Sequence, residues 1–214
     1  MRSIALIDYG SGNLRSAEKA LIRANDGLSN PCEIHTTDDP KLIARADGVV
    51  LPGVGAFAAC MGAFSARAGL TEAITEAVRG KGAPFLGICV GMQLLATRGR
   101  EFGDTPGLDW IAGDVMRLEP DGARFKVPHM GWNALEDVAD HPLFGGIPDG
   151  THMYFTHSFA FYPNDAEDVA AQTDHGGRFP VAVARGNITG VQFHPEKSQG
   201  AGLKLLANFL EWRP

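Results

Sequence analysis

Apolar positions in the first half of the chain follow two alternating patterns. Continuous apolar runs of strand length, "SIALIDY" (residues 3–9) and "GVVLP" (48–52), are interleaved with segments of helical spacing such as Leu14, Ala17, Leu21 and Ala24. "CEIHT" reads as a short second strand, and residues of about 56–78 as a helical stretch broken near Gly69 and Leu70. "PFLGI" (84–88) then predicts a buried strand and "MQLLATR" (92–98) the helix that leaves it. Strands that are apolar throughout, separated by helices, predict an α/β fold with a parallel central sheet flanked by helices.

The second half changes character. "WIAGDVMRL", "FKVPHMGWNAL", "HMYFTHSFAF", "DVAAQT", "FPVAVARG" and "ITGVQFHP" are strand-like pieces with turn-rich segments between them. They predict antiparallel or mixed strands added to the same sheet. A last amphipathic helix is expected over about 200–212, with Leu203, Leu206, Ala207 and Leu210 on one face. There is no internal repeat, low-complexity tract or linker, so residues 1–214 read as a single domain.

Charge and composition narrow the function. A net charge of −6 without a Lys/Arg cluster argues against nucleic acid or an anionic membrane as the partner. No stretch approaches the roughly 18 consecutive apolar residues of a spanning helix. The apolar run at the N-terminus is cut off by Asp8 and reads as a first strand, not a signal segment. Cys32, Cys60 and Cys89 are odd in number and lack metal-ligand spacing, which predicts a reducing cytoplasm, no disulfide framework and no metal. Cys32 and Cys60 read as small buried hydrophobes.

Cys89 differs because of its neighbours. "G-I-C-V-G" (87–91) places a thiol between a buried strand and a helix start, with glycines two residues away on each side. That is the logic of a nucleophile elbow, with cysteine in place of serine. A helix N-terminus favours thiolate, and the N–H of Val90 is positioned for an oxyanion. A thiol nucleophile needs a base and the base an orienter. "VQFHPEKS" supplies His194 with Glu196 two residues on, on the same side of an extended segment that Pro195 keeps stiff. In "LPGVGAF" (51–57), Gly53 and Gly55 flank Val54 directly after a buried strand. This is either a simple strand-to-helix turn or a second source of oxyanion N–H groups.

Together, "PGVGAF", "GICVGMQLL" and "GVQFHPEKS" resemble the class I (triad) glutamine amidotransferases. "DYGSGNLRS", "VPHMGWN", "YFTHSF" and the ending "HPEKSQGAGLKLLANFL" extend the resemblance along nearly the whole chain, toward the glutaminase subunits of imidazole glycerol phosphate synthases. The resemblance implies the fold and reaction of that family, with L-glutamine as substrate and no cofactor. It implies Cys89 as acyl-accepting nucleophile, His194 as base and acid, and Glu196 as its orienter. Gln93, Ser158 and Phe159 match glutamine-binding positions; the family more often has tyrosine at the last, so no hydroxyl is carried over there. Val90 and the Gly53, Val54 and Gly55 peptides match its oxyanion hole. A (β/α)8-barrel synthase subunit is the implied partner, in a heterodimer, and Asn13, Trp132, Tyr154 and Lys197 fall on partner-facing motifs. Without the resemblance, Trp132 and Tyr154 read as core aromatics and Lys197 as a solvated cation. Two alternatives are the glutaminase of another ammonia-channelling synthase and a non-catalytic regulatory subunit. An intact Cys89/His194/Glu196 set argues against the second.

Overall fold

The apolar runs of the first half become the parallel strands of a central sheet in the computed structural model, which describes residues 1–214. In chain order the elements are β1 (Ser3–Ile7), α1 (Leu14–Asn25), β2 (Glu33–Thr37), α2 (Pro40–Ile43), β3 (Gly48–Gly53), α3 (Phe57–Ser65), α4 (Leu70–Thr75) and β4 (Phe85–Cys89). They continue as α5 (Val90–Gln93), β5 (Arg98–Gly99), β6 (Thr105–Pro106), β7 (Gly113–Arg117), β8 (His129–Ala134) and β9 (His152–His157). The last are β10 (Phe159–Pro163), β11 (Val169–Asp174), β12 (Arg178–Arg185), β13 (Ile188–Val191) and α6 (Gln199–Glu211).

The central sheet runs β11-β12-β13-β4-β3-β1-β2. β13, β4, β3, β1 and β2 pair in parallel, while β12 pairs antiparallel with both β11 and β13. β3 and β4 are buried along their whole length because both faces are covered. This is why their sequences are apolar without alternation. β2 lies at the open edge, where mostly polar side chains and partial exposure suit a strand with one unpaired side.

Five expectations change. Only β11, β12 and β13 extend the central sheet; β10-β7-β5-β6 form a second sheet and β8-β9 a separate ribbon. The run "HMYFTHSFAF" breaks at Ser158, and its halves pair with different strands. Strand propensity is local, whereas the choice of pairing partner is tertiary. The helix expected over 92–98 ends at Gln93 after one turn. The carbonyls of Leu94, Leu95 and Ala96 accept from the N–H groups of Leu108, Trp110 and Asp109, so a neighbouring loop takes over the bonds that would continue the helix. Fourth, α6 buries Leu205, Leu206, Phe209 and Leu210, leaving Leu203 and Ala207 half-buried. Both stripes have helical spacing, and the one carrying Phe209 has more apolar surface to remove from water. The fifth concerns Pro195: residues 195–197 form a tight 3₁₀ turn, not an extended segment.

Candidate active site

The carboxyl ends of three adjacent parallel strands meet at Cys89. β4 ends on it, β3 lies on one side with Gly53 paired to Cys89, and β13 lies on the other with Val191 paired to Ile88. Cys89 has φ 55° and ψ −111°, a conformation that L residues rarely adopt. Such a backbone costs about 1–3 kcal/mol and persists only where the surroundings impose it. They do so through close approach. A Cβ on Gly87 would lie 2.5 Å from the Gly91 carbonyl oxygen, and one on Gly91 only 1.9 Å from the Leu51 carbonyl oxygen. The flanking glycines of the motif are therefore what let the turn close against β3.

His194 follows β13 and is 3% exposed; the Glu196 side chain is equally buried. The His194 Nδ1–Glu196 Oε1 distance is 2.8 Å. The contact is made across the start of the 3₁₀ turn: His194 is extended, and Pro195 begins the turn that folds Glu196 back. The β8-β9 ribbon holds the segment in place. His194 N–H donates to the Tyr154 carbonyl, Tyr154 N–H donates to Ser198 Oγ, and Ser198 Oγ donates to the His194 carbonyl. Burial disfavours the imidazolium, but hydrogen bonds and negative charge from Cys89 and Glu196 outweigh it and push the His194 pKa up to about 10. With Nδ1 bound to the carboxylate, Nε2 is the nitrogen left to exchange a proton with sulfur or substrate.

Cys89 and His194 open into a cavity of about 440 Å³. Val54, Gly55, Val90, Gln93, Ser158, Phe159 and Lys197 also line it, so most positions expected from the sequence converge on one space. Glu196 stands behind His194 and does not reach the cavity. Gly53 closes β3, and Asn13 sits with Gly53 and Glu196 around a pocket of about 10 Å³ behind the triad. Trp132 is 46% exposed and Tyr154 half-buried, so neither is the core aromatic that their residue types suggest without the resemblance. They make an edge-on pair with centroids 6.0 Å apart, and Lys197 Nζ lies 5.6 Å from the Tyr154 ring centroid. The three form one surface cluster beside the cavity mouth.

The glycine loop is anchored from below. The Val54 carbonyl accepts from Ser11 Oγ at 3.0 Å and from Cys60 Sγ at 3.2 Å. Because a trans peptide sets N–H opposite to C=O, the Gly55 N–H points away from Ser11 and Cys60. Gly55 has φ +98°, open to glycine and strained for other residues. Cys60 is thus more than a small hydrophobe: its thiol holds the loop.

Sequence comparison places this geometry. The family model for glutamine amidotransferase class-I matches residues 5–212. The chain belongs to the class I glutamine amidotransferases. It is 61% identical over 214 residues, covering all of both chains, to imidazole glycerol phosphate synthase subunit HisH of Caulobacter vibrioides. It is 51% identical over 215 residues to the protein of that name from Rhodopseudomonas palustris, covering 99% of this chain and all of that one. A crystal structure titled glutamine amidotransferase shares the fold, with TM-score 0.69, 20% identity and 97% of each chain covered. A glutamine amidotransferase structure from Thermotoga maritima gives TM-score 0.59 at 19% identity, covering 91% of this chain and 76% of that one.

Several residues of this candidate site have no local sequence signal. Glu101 lines the cavity, and its carboxylate accepts from the Phe57 N–H at 2.8 Å. It lies in a loop that no periodicity marks. His157 reaches the cavity wall and Ser198 braces His194, but both look like ordinary strand and turn residues in sequence. Gln192 is fully buried, with its amide nitrogen 3.5 Å from Cys89 Sγ. It was hidden inside the apolar run "GVQF". No helix is long and apolar enough to cross a membrane.

Proposed function

We propose that the chain is the glutaminase subunit of an imidazole glycerol phosphate synthase, hydrolysing the side-chain amide of L-glutamine and supplying ammonia to a (β/α)8-barrel synthase subunit. The observation that carries this reading is the 61% full-length identity to a HisH subunit, in a chain whose Cys89, His194 and Glu196 converge.

In this reading the glutamine side chain enters the cavity with its amide carbon at Cys89 Sγ. The thiolate attacks, and the oxyanion is taken by the Val90 N–H and a peptide N–H of the Gly53–Val54–Gly55 loop. The C–N bond breaks as His194 Nε2 gives its proton to the leaving nitrogen, so ammonia departs and a thioester remains. Neutral His194 then takes a proton from water, which attacks the thioester and releases glutamate and the thiolate. Glu196 keeps Nδ1 protonated throughout and stabilises each imidazolium. The amino-acid end of glutamine suits the polar end of the cavity, where Glu101 offers a carboxylate for the ammonium and residues 158–159 offer backbone groups.

Ammonia then reacts in the barrel subunit with a ribonucleotide, yielding imidazole glycerol phosphate and an aminoimidazole carboxamide ribotide. The exposed Trp132–Tyr154–Lys197 cluster, with Met130 beside it on β8, is the surface we assign to that subunit. Three free thiols fit a reducing cytoplasm. The test is glutamate release by the complex with its nucleotide ligand, wild type against Cys89→Ala. Wild type is expected to exceed the variant by at least about 10³-fold, the usual scale for removing a nucleophile. Equal release would sink the glutaminase reading.

A further inference from the structure

Behind the nucleophile, two glutamines form a hydrogen-bond line whose direction is set at one end by a backbone carbonyl. The Phe159 carbonyl can only accept, and Gln93 Nε2 donates to it at 3.0 Å. The second hydrogen on the same nitrogen goes to Gln192 Oε1 at 2.9 Å. Gln192 must therefore present its oxygen to Gln93 and its NH₂ group to the other side. There Nε2 meets Cys89 Sγ at 3.5 Å. His157 Nδ1, 2.8 Å from the same Phe159 carbonyl, adds a second donor that holds the oxygen in place. The arrangement follows from sheet register. One step beyond the Val191–Ile88 pair, Gln192 lies level with Cys89 on the adjoining strand.

We propose that Gln192 is a further catalytic residue, whose side-chain N–H donates to Cys89 Sγ and, with His194, holds the sulfur as a thiolate aimed into the cavity. The inference rests on Cys89 being the nucleophile of the proposed reaction. A neutral amide suits the position. It favours negative charge on sulfur without competing with His194 for a proton, and it cannot itself be alkylated or acylated by the substrate. Full burial makes the donor strong, because water does not compete for the sulfur on that side. The donor is also preorganised: Gln93 fixes its orientation before substrate arrives.

The test is the pH dependence of Cys89 alkylation by iodoacetamide in the full-length chain, with Cys89→Ala as the blank. The titratable groups facing the thiol are His194 with Glu196 behind it, Tyr9 just after β1, and Glu101, His157 and Lys197 around the cavity. All of them stay unchanged in the variants. Gln192→Met fills the space without a donor. Gln192→Glu keeps an oxygen for Gln93 but turns an acceptor toward sulfur. Losing a hydrogen bond to a charged group is expected to raise the alkylation midpoint by about one pH unit in Gln192→Met, slowing reaction below it about tenfold. Gln192→Glu is expected to move it further in the same direction. A Gln192→Met profile that superimposes on wild type overturns the proposal. Should both variants unfold, the wild-type chain still decides: the side-chain ¹⁵N resonance of Gln192 should step at the alkylation midpoint, and a flat response there also overturns it. Alkylation needs neither glutamine nor the synthase, so failure here is distinct from failure of the glutaminase reading.

Discussion

At the scale of single residues, the molecule sorts its histidines by what surrounds them. His194 is held as imidazolium by negative neighbours, whereas His129 and His157 are held neutral. Burial is the main cause for both, pushing His129 down to about 3 and His157 to about 4, with mutual repulsion among His129, His157, His175 and His194 adding to it. Their tautomers follow from the bonds. His157 Nδ1 donates to Phe159, so its Nε2 accepts from His129 Nδ1 at 3.0 Å, and His129 Nε2 accepts from Asn133. A base with a folded pKa below its unfolded value leaves the unfolded chain with more bound protons between the two. Its stabilisation is therefore complete above about pH 6.5 and is lost as pH falls toward 4. The two rings are buried and bonded to each other, so a single protonation breaks the pair and should remove about 3 kcal/mol by pH 4. We expect the melting temperature to fall steeply between pH 6 and 4, with a shallower fall in His129→Gln. Parallel curves would contradict this account.

At the scale of elements, the turn at Cys89 depends on backbone meeting backbone. α5 is a single turn, so the argument from a long helix dipole has little reach here. What remains is the local set of N–H groups at Val90 and Gly91, which as first-turn donors have no partner within the helix and lie next to the thiol in sequence. Gly91 is the narrowest point. A methyl group there would meet the Leu51 carbonyl oxygen at 1.9 Å, and neither β3 nor β4 can yield without breaking the central sheet. Gly91→Ala is accordingly expected to cost at least about 3 kcal/mol, at the top of the overpacking range, and to abolish glutamine turnover. Thermal melts and glutamate assays on the same preparation check it; a variant with wild-type melting would show that the turn has room to spare. The elbow's place was legible because glycine spacing and an apolar strand are local signals. The length of α5 was not, since it is ended by hydrogen bonds from residues 108–110. Nor was the buried face of α6, where two stripes had the same period.

At the scale of the whole molecule, the site exists because distant pieces of chain enter the same sheet side by side. β13 pairs with β4 across about a hundred residues of sequence, and the β8-β9 ribbon then braces His194 through Tyr154 and Ser198. The same ribbon turns Met130 and Trp132 outward beside the cavity mouth. If that cluster carries the synthase subunit, Trp132→Ala should weaken its binding about 30-fold, the scale of an aromatic hot spot, without lowering the melting temperature of the free chain. Titration calorimetry with the synthase subunit reads this directly, and unchanged affinity would move the interface elsewhere.

Taken alone, the sequence determined what short-range physics and a family signature can carry. Apolar period established the alternating strands and helices, glycines marked the elbow, and the triad motifs identified the amidotransferase family and pointed to Cys89, His194 and Glu196. Tertiary structure alone decided which strands pair, that Trp132 and Tyr154 meet edge-on, and that Cys60 and Ser11 anchor the glycine loop. It also put Gln192 against the thiol, a contact that register between two remote strands creates. The division has one physical cause: backbone preferences and periodicity act over a few residues, whereas register, burial and hydrogen-bond direction are set only when segments far apart in the chain are packed together.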